Sequence, residues 1–195
     1  MENLKRRMMD EATVNEDGII RVDMFLNHCL DVELIEDLGK QLAKRFKGEK
    51  ITKVLTAESS GIPIALFTAR ALRVPAVYAK KFQTGYIDPD VYSTEIHSFS
   101  MEKSFTLRVA RPYLDEDDVV LLVDDILASG QAMMGLMDLV SQAGGEVAGL
   151  GVAIEKANRD GGRVLRQMGL RVESLVTVSH VEDGEIIFLD DEEDR

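Results

Sequence analysis

Val119 to Val140 reads VVLLVDDILASGQAMMGLMDLV, and this stretch decides the fold. Val119 to Val123 is apolar and mostly β-branched, with no polar face. Such a run suits a strand buried on both sides, the condition of a parallel sheet covered by helices. Two carboxylates, Asp124 and Asp125, close it, and Leu127-Ala128-Ser129-Gly130 follows as a loop of small residues. Met133, Met134, Leu136, Met137, Leu139 and Val140 then recur at helical spacing until Gly144-Gly145 stops them. The order is strand, loop, helix. The polar residues stand at the C-terminal end of the strand, the edge at which open α/β sheets take ligands.

Two further units flank this one. Ile51 to Ala57 leads through Glu58-Ser59-Ser60-Gly61 into a helix patterned by Ile62, Ala65, Leu66, Ala69 and Leu72. Val147 to Ile154 leads through Lys156 to a short helix around Val164 to Met168, and Ala76 to Ala79 reads as another strand. The fold class is α/β, with a mainly parallel core sheet flanked by helices. Met1 to Phe46 is mostly helical, interrupted at Gly18 by a strand-like stretch, Ile19 to Val22. From Lys80 to Arg111 the helical period gives way to alternation at Phe105, Leu107 and Val109, with Gly85 and Pro89 marking turns, which predicts a loop and a hairpin. There is no internal repeat and no Pro-rich or Gly/Ser-rich linker. One domain over 1–195 is expected, with an N-terminal segment at 1–46, an insert at 82–104 and an acidic tail at 189–195.

Composition narrows the class of partner. The 195 residues carry a net charge of −12, from 23 basic and 35 acidic side chains, and 45% are hydrophobic. A chain of this length buries roughly 70% of its unfolded surface, so its core needs neither disulfide nor structural metal. Cys29 is the single cysteine, which points to a reducing compartment. No run approaches the roughly 18 to 20 apolar residues needed to span a bilayer, and the first ten residues contain no apolar signal core. A cytoplasmic location is expected. The acidity, including Asp190 to Asp194, opposes generic nucleic-acid binding, which needs clustered Lys and Arg. An anionic ligand therefore requires a strong local site.

The stretch from Asp124 to Ala132 has the parts of such a site. Ala128, Ser129, Gly130, Gln131 and Ala132 open a helix, and their backbone N–H groups can hold a phosphate with help from the helix dipole. Asp124 and Asp125, with unperturbed pKa values near 3.9, are both expected to be ionised at neutral pH and to accept hydrogen bonds from vicinal hydroxyls. Phosphate on the loop and hydroxyls on the carboxylates describe a sugar phosphate. The lysine of G-x-x-x-x-G-K-[ST] and the glycines of G-x-G-x-x-G are both missing, which disfavours those two phosphate motifs. Glu58-Ser59-Ser60-Gly61 also lies between a strand and a helix. It reads either as a second anion loop or as a plain helix cap by Ser59 or Ser60.

Val119 to Ala132 resembles the phosphoribosyl pyrophosphate signature of the type I phosphoribosyltransferases: an apolar strand, two acidic residues and a short loop ending in Thr/Ser-Gly. The similarity to this family runs from Met1-Glu2-Asn3-Leu4-Lys5-Arg6 through Val22-Asp23-Met24-Phe25-Leu26-Asn27-His28 to Gly149-Leu150-Gly151-Val152 and Ile154-Glu155-Lys156. The insert and the last residues diverge. Ser129 stands where relatives carry Thr or Asn, and Ala132 where Thr is common; both keep the backbone donors. The resemblance implies a smaller hood of terminal segments, a homodimer, and Mg²⁺ bound mainly through the substrate's phosphates.

It also implies a purine-salvage activity: transfer of the phosphoribosyl group to N9 of xanthine, giving xanthosine 5′-monophosphate and pyrophosphate. Asp124 and Asp125 would take the ribose hydroxyls and carry catalysis, Ala128 to Ala132 the 5′-phosphate, and Glu58, Ser59, Ser60, Gly61 and Lys81 the pyrophosphate. Lys156 would meet a 6-oxo group, Ile20 the face of the base and Asn27 its edge. Each has a plainer reading as well. Lys80 and Lys81 fit a solvated surface, Ile20 a core position, and Asn27 a helix cap or buried structural amide. His28 reads as structural, and His97 and His180 share no metal-ligand spacing with it. Two rivals keep the same phosphate machinery: a guanine or hypoxanthine transferase, and a non-catalytic sensor of phosphoribosyl pyrophosphate that binds DNA. Lys5, Arg6 and Arg7 make a poor DNA footprint for the latter.

Overall fold

Helix α1 (Glu2–Glu11) precedes a two-stranded antiparallel ladder, β1 (Thr13–Val14) with β2 (Ile20–Arg21), and a π-helical turn, Asp23–Asn27. Next come α2 (Val32–Arg45), β3 (Lys53–Ala57), α3 (Ile62–Leu72), β4 (Ala76–Phe82), and the hairpin strands β5 (Val91–Ser98) and β6 (Lys103–Ala110). The chain finishes with β7 (Val119–Leu127), α4 (Gln131–Ala143), β8 (Glu146–Lys156), α5 (Gly161–Gln167), β9 (Val172–Glu182) and β10 (Glu185–Phe188). The computed structural model describes residues 1–15, 19–82, 90–98 and 103–189. Gly18, Gly85, Pro89, most of the insert's loop and the acidic run 190–194 lie outside the described residues.

Among the described residues, one eight-stranded sheet runs in the order β10-β9-β8-β7-β3-β4-β6-β5. β9, β8, β7, β3 and β4 are mutually parallel, and antiparallel strands close both edges. The alternation of β7 divides the core. Leu121 and Val123 pack towards α2 and α3, whereas Val120 and Leu122 pack towards α4 and the hairpin. Glycines tighten the helical layers: a Cβ on Gly39 of α2 would come within 2.7 Å of the Phe67 backbone in α3.

Three features differ from the sequence pattern. Helix α3 buries Ile64, Ala65, Thr68 and Ala69, while Leu66 is 56% exposed. Thr68 escapes the hydropathy pattern because its hydroxyl donates to the Ile64 carbonyl at 2.9 Å, which satisfies it inside the core. Helix α5 starts at Gly161, ahead of the apolar pattern around Val164 to Met168, because Gly161 and Gly162 are buried, close-packed positions with no side chain to add to that pattern. Strands β9 and β10 extend the sheet beyond the three runs singled out from the sequence. Leu175, Val176, Thr177 and Val178 of β9 are all buried. No helix among the described residues is long and apolar enough to cross a membrane.

At the opposite end of the sheet from the strand C-termini, Asp118 is 5% exposed and ion-paired to Lys53 at 2.5 Å. Burial opposes its charge, but Lys53, the Asp115 amide and the Thr52 hydroxyl together hold its pKa below the ordinary value. A lowered folded pKa contributes stability above the unfolded value of about 3.9, and that contribution is lost as pH falls through the folded value. Asp118→Asn should therefore cost about 1–3 kcal/mol at pH 7 in denaturant titrations, with the deficit shrinking below about pH 4. A deficit that stays constant with pH would assign the loss to packing and not to charge.

Candidate active site

The C-terminal ends of β3, β4, β7 and β8 share one edge of the sheet, and the polar residues of the sequence motifs gather there. After β7 the chain turns through Ala128 and Ser129 to Gly130, whose φ of 76° lies in the left-handed region. Glycine adopts that conformation without a steric penalty and lets the turn enter α4 directly. Helix α4 has no side-chain cap at its start, so the first-turn N–H groups, including those of Gln131 and Ala132, can serve an anion.

Asp125 is 7% exposed and Asp124 half-buried. The Asp125 N–H donates to Asp124 Oδ1 at 3.0 Å. Burial first, and then the neighbouring Asp125 carboxylate, hold Asp124 well above the usual carboxylate range; Lys81 pulls in the opposite direction. The sequence pattern contains no sign of this upward shift of Asp124. The Asp125 carboxylate beside it disfavours a second charge on Asp124.

The Glu58–Gly61 turn lies against this pair. A Cβ on Gly61 would overlap Thr56 Oγ1 and lie 2.6 Å from Asp124 Oδ1, so only glycine lets the two loops meet. The Glu58–Ser59 peptide is cis. Glu58 N–H donates to the Ala79 carbonyl at 2.9 Å, and Glu58 Oε1 accepts the Lys81 N–H at 2.6 Å, tying the turn to β4. The capping alternative for Ser59 and Ser60 is not realised, because Gly61 is the N-cap of α3 and no side chain caps that helix. Lys81 is exposed and electrostatically coupled to Asp124, while Lys80 lines a groove beside Tyr78 and Phe82.

On the β8 side a cavity of about 150 Å³ is lined by Ile19, Ile20, Lys156, Val178 and Val181, with Asn158, Arg159 and His180 adding polar groups. Burial, followed by the nearby Arg159 charge, pushes the Lys156 pKa down, and Asp125 counteracts them. Ile20 and Lys156 are thus brought to one cavity, and Lys156 is coupled to the carboxylate pair. Asn27 does not line it. It ends the π-turn, and its Oδ1 is buried with no hydrogen-bond partner among the described residues. Sequence reading missed Asn158, Arg159 and His180 as lining residues. One signal was available, the strand alternation that places Val178 and His180 on one face; Asn158 and Arg159 are brought there by a turn in which Arg159 N–H donates to the Lys156 carbonyl at 3.0 Å, which only the fold shows.

Residues 22–172 match the family model described as the phosphoribosyl transferase domain. Xanthine phosphoribosyltransferase 1 of Clostridium perfringens is 44% identical over 189 residues, covering 96% of this chain and all of that protein. Xanthine phosphoribosyltransferase of Alkaliphilus metalliredigens is 42% identical over 194 residues, covering 100% of this chain and 96% of the relative. Among solved structures, adenine phosphoribosyltransferase from Rhodothermus marinus superposes with a TM-score of 0.73 at 22% identity, over 91% of this chain and 100% of that one. The likeness to that structure concerns the fold alone.

The charge state of the carboxylate pair sets a stability test. With its folded pKa raised, Asp124 contributes stability that is complete below the unfolded value of about 3.9 and is lost as pH rises through the folded value. Asp124→Asn removes that loss. Its melting temperature at pH 7 should exceed the parent's by about 2–4 °C per kcal/mol of burial cost and repulsion relieved, with the gap closing near pH 4. Equal melting at both pH values would show that a charge on Asp124 costs the fold nothing.

Proposed function

The chain belongs to the phosphoribosyltransferase family, and on that premise we propose that it is a purine-salvage enzyme. It transfers the phosphoribosyl group of phosphoribosyl pyrophosphate to N9 of xanthine, forming xanthosine 5′-monophosphate and pyrophosphate. The full-length relatives named for that reaction support it. The observation that carries the site reading is the position of the Ile20–Lys156 cavity, whose lysine is electrostatically coupled to the carboxylate at the end of β7.

In this reading the 5′-phosphate meets the N–H groups of Ala128 to Ala132 and the ribose hydroxyls face Asp124 and Asp125. The pyrophosphate faces Glu58 to Gly61 and Lys81. The base lies against Ile20 with its 6-oxo oxygen towards Lys156, which is a donor only. Asn27, whose Oδ1 is buried with no partner among the described residues, would meet the base edge only by turning its amide towards the cavity. As the bond from C1′ to the pyrophosphate oxygen breaks and the bond to N9 forms, positive charge grows on the ribose and negative charge on the leaving group. Catalysis rests on holding the reactants in line and stabilising those charges. Mg²⁺ held mainly by the phosphates of phosphoribosyl pyrophosphate would supply charge neutralisation to the leaving group.

A homodimer in the cytoplasm completes the proposal. Tyr78, Phe82 and Tyr113 stand exposed beside the β4–β6 groove, where the sheet is open to solvent, and a second copy would cover them. Parallel strands elsewhere in this sheet are covered on both faces.

Initial rates with phosphoribosyl pyrophosphate, Mg²⁺ and each of xanthine, guanine, hypoxanthine and adenine should be highest with xanthine. Preference for another base would overturn the acceptor assignment, and binding of phosphoribosyl pyrophosphate without turnover would favour the sensor reading. Asp125→Asn should lower kcat/KM by about 10²- to 10³-fold with an unchanged circular dichroism spectrum. Unchanged turnover would remove Asp125 from the mechanism. Lys156→Gln loses a charged hydrogen bond worth about 1.5–3 kcal/mol, so the KM for xanthine should rise roughly 10- to 100-fold while that for phosphoribosyl pyrophosphate stays within about threefold. An equal rise in both would argue against base reading by Lys156.

A further inference from the structure

Glu155 lies next to Lys156 in β8, and neighbouring strand residues point to opposite faces. Lys156 faces the cavity, whereas Glu155 faces α5, where it is 5% exposed. Its carboxylate accepts two parallel bonds from Arg166, at 2.6 Å and 2.8 Å, and a third from the Ser174 hydroxyl. Only the carboxylate of this pair is buried, and the guanidinium reaches it from a position 37% exposed, so screening limits what the pair adds to stability. Its distinctive property is geometric, because a guanidinium fork fixes both the distance and the plane of its carboxylate.

That geometry is relayed to the 128–130 loop through two glycines. A Cβ on Gly162 would overlap Glu155 Oε1 and lie 2.7 Å from its Cδ, so the carboxylate rests on the backbone of α5. A Cβ on Gly161 would overlap the Ala128 carbonyl and lie 2.6 Å from Gly130 N, so the same turn rests on the loop. Gly161 N–H also donates to the Ala128 carbonyl at 3.0 Å. No flexible side chain lies between Glu155 and the loop along this path. A close-packed contact of this sort transmits a displacement and does not absorb it.

We propose that Glu155 is a positioning residue for the 5′-phosphate site: paired with Arg166, it clamps the first turn of α5 against Ala128–Gly130 and so sets where the loop's N–H donors point. This rests on the phosphoribosyltransferase reading of the loop. The end of β8 then serves two subsites through adjacent residues, the base through Lys156 and the phosphate through Glu155.

The test separates the subsites by ligand. Ribose 5-phosphate probes the 5′-phosphate loop together with the ribose carboxylates and without the base or pyrophosphate subsites, and calorimetry on folded Glu155→Gln should show its Kd weakened about 10- to 100-fold, the range expected for misplaced binding groups. The KM for phosphoribosyl pyrophosphate should rise similarly, while kcat at saturation and the KM for xanthine stay within about threefold. Arg166→Lys keeps the charge, loses the fork and sits at a half-exposed position, so it should shift ribose 5-phosphate binding in the same direction by about threefold or more even if Glu155→Gln fails to fold. Wild-type affinity for ribose 5-phosphate in both variants, or in Arg166→Lys alone if the other is unfolded, overturns the proposal and leaves the enzyme reading intact. Parallel loss in kcat and both KM values would mark the pair as merely structural. Failure of the unmodified protein to bind either ribose 5-phosphate or phosphoribosyl pyrophosphate would overturn the functional reading and this inference with it.

Discussion

Leu121, Leu122 and Val123 are shut away from water on both faces of the sheet, and the site depends on that burial. A strand covered on both sides has no room for charge along its length, so polar groups collect where the strand leaves the helical layers. For β7 that place is Asp124-Asp125. For β3 it is the Glu58–Gly61 turn, held against Asp124 at a glycine where a side chain has no space. The parallel register that pairs β7 with both β3 and β8 sets the three strand ends side by side. Loops from distant parts of the sequence thus meet without any long connection being ordered for the purpose.

The electrostatics are local. A net charge of −12 repels anionic ligands at long range, yet salt screens exposed charges beyond about 8 Å at physiological ionic strength. Inside that distance the uncapped start of α4, Lys81, and the Lys156–Arg159 pair provide positive potential. Amid this positive set, burial and the neighbouring carboxylate raise the pKa of Asp124, while Lys81 lowers it. Burial makes Asp124 costly in the folded chain and also makes it responsive to whatever binds beside it.

The main sheet was legible because β3, β7 and β8 are continuous apolar runs ended by turn residues. The 128–132 loop was legible because its small residues follow a carboxylate pair. The Asp124 charge state was not, since it depends on how little water reaches the pair, and a residue pattern contains no solvent. Strand β9 was missed because Ser174, Thr177 and Ser179 interrupt its apolar run, although Thr177 is 3% exposed and accommodated inside the sheet. Glu155 was passed over for a related reason. A charged residue at the end of an apolar run reads as solvated, and only the fold brings Arg166 to it from another element. The exposed Leu66 shows the converse: helical spacing counts apolar residues, but Gly39 of α2 decides which side of α3 is approached.

The N-terminal segment carries the same logic to the other wall of the cavity. Asp31 caps α2 by accepting the Leu34 N–H at 3.1 Å and also pairs with Arg7 of α1. The Leu34 amide, followed by Arg7, holds its carboxyl below the ordinary value. Arg7 in turn lies 5.3 Å from the ring of buried Phe25 in the π-turn. One cap therefore ties α1, the π-turn and α2 together, and Ile20 and Asn27 lie at the two ends of the segment so restrained. A π-turn inserts an extra residue per turn relative to an α-helix and is retained mostly where a function needs the altered side-chain direction. Here it ends on a buried amide oxygen with no partner among the described residues. Buried acceptors are almost always satisfied in folded proteins, which sets this oxygen apart from the rest of the segment. The Ile20 side of the cavity is then built as the strand ends are, on apolar packing held in place by a few buried polar contacts.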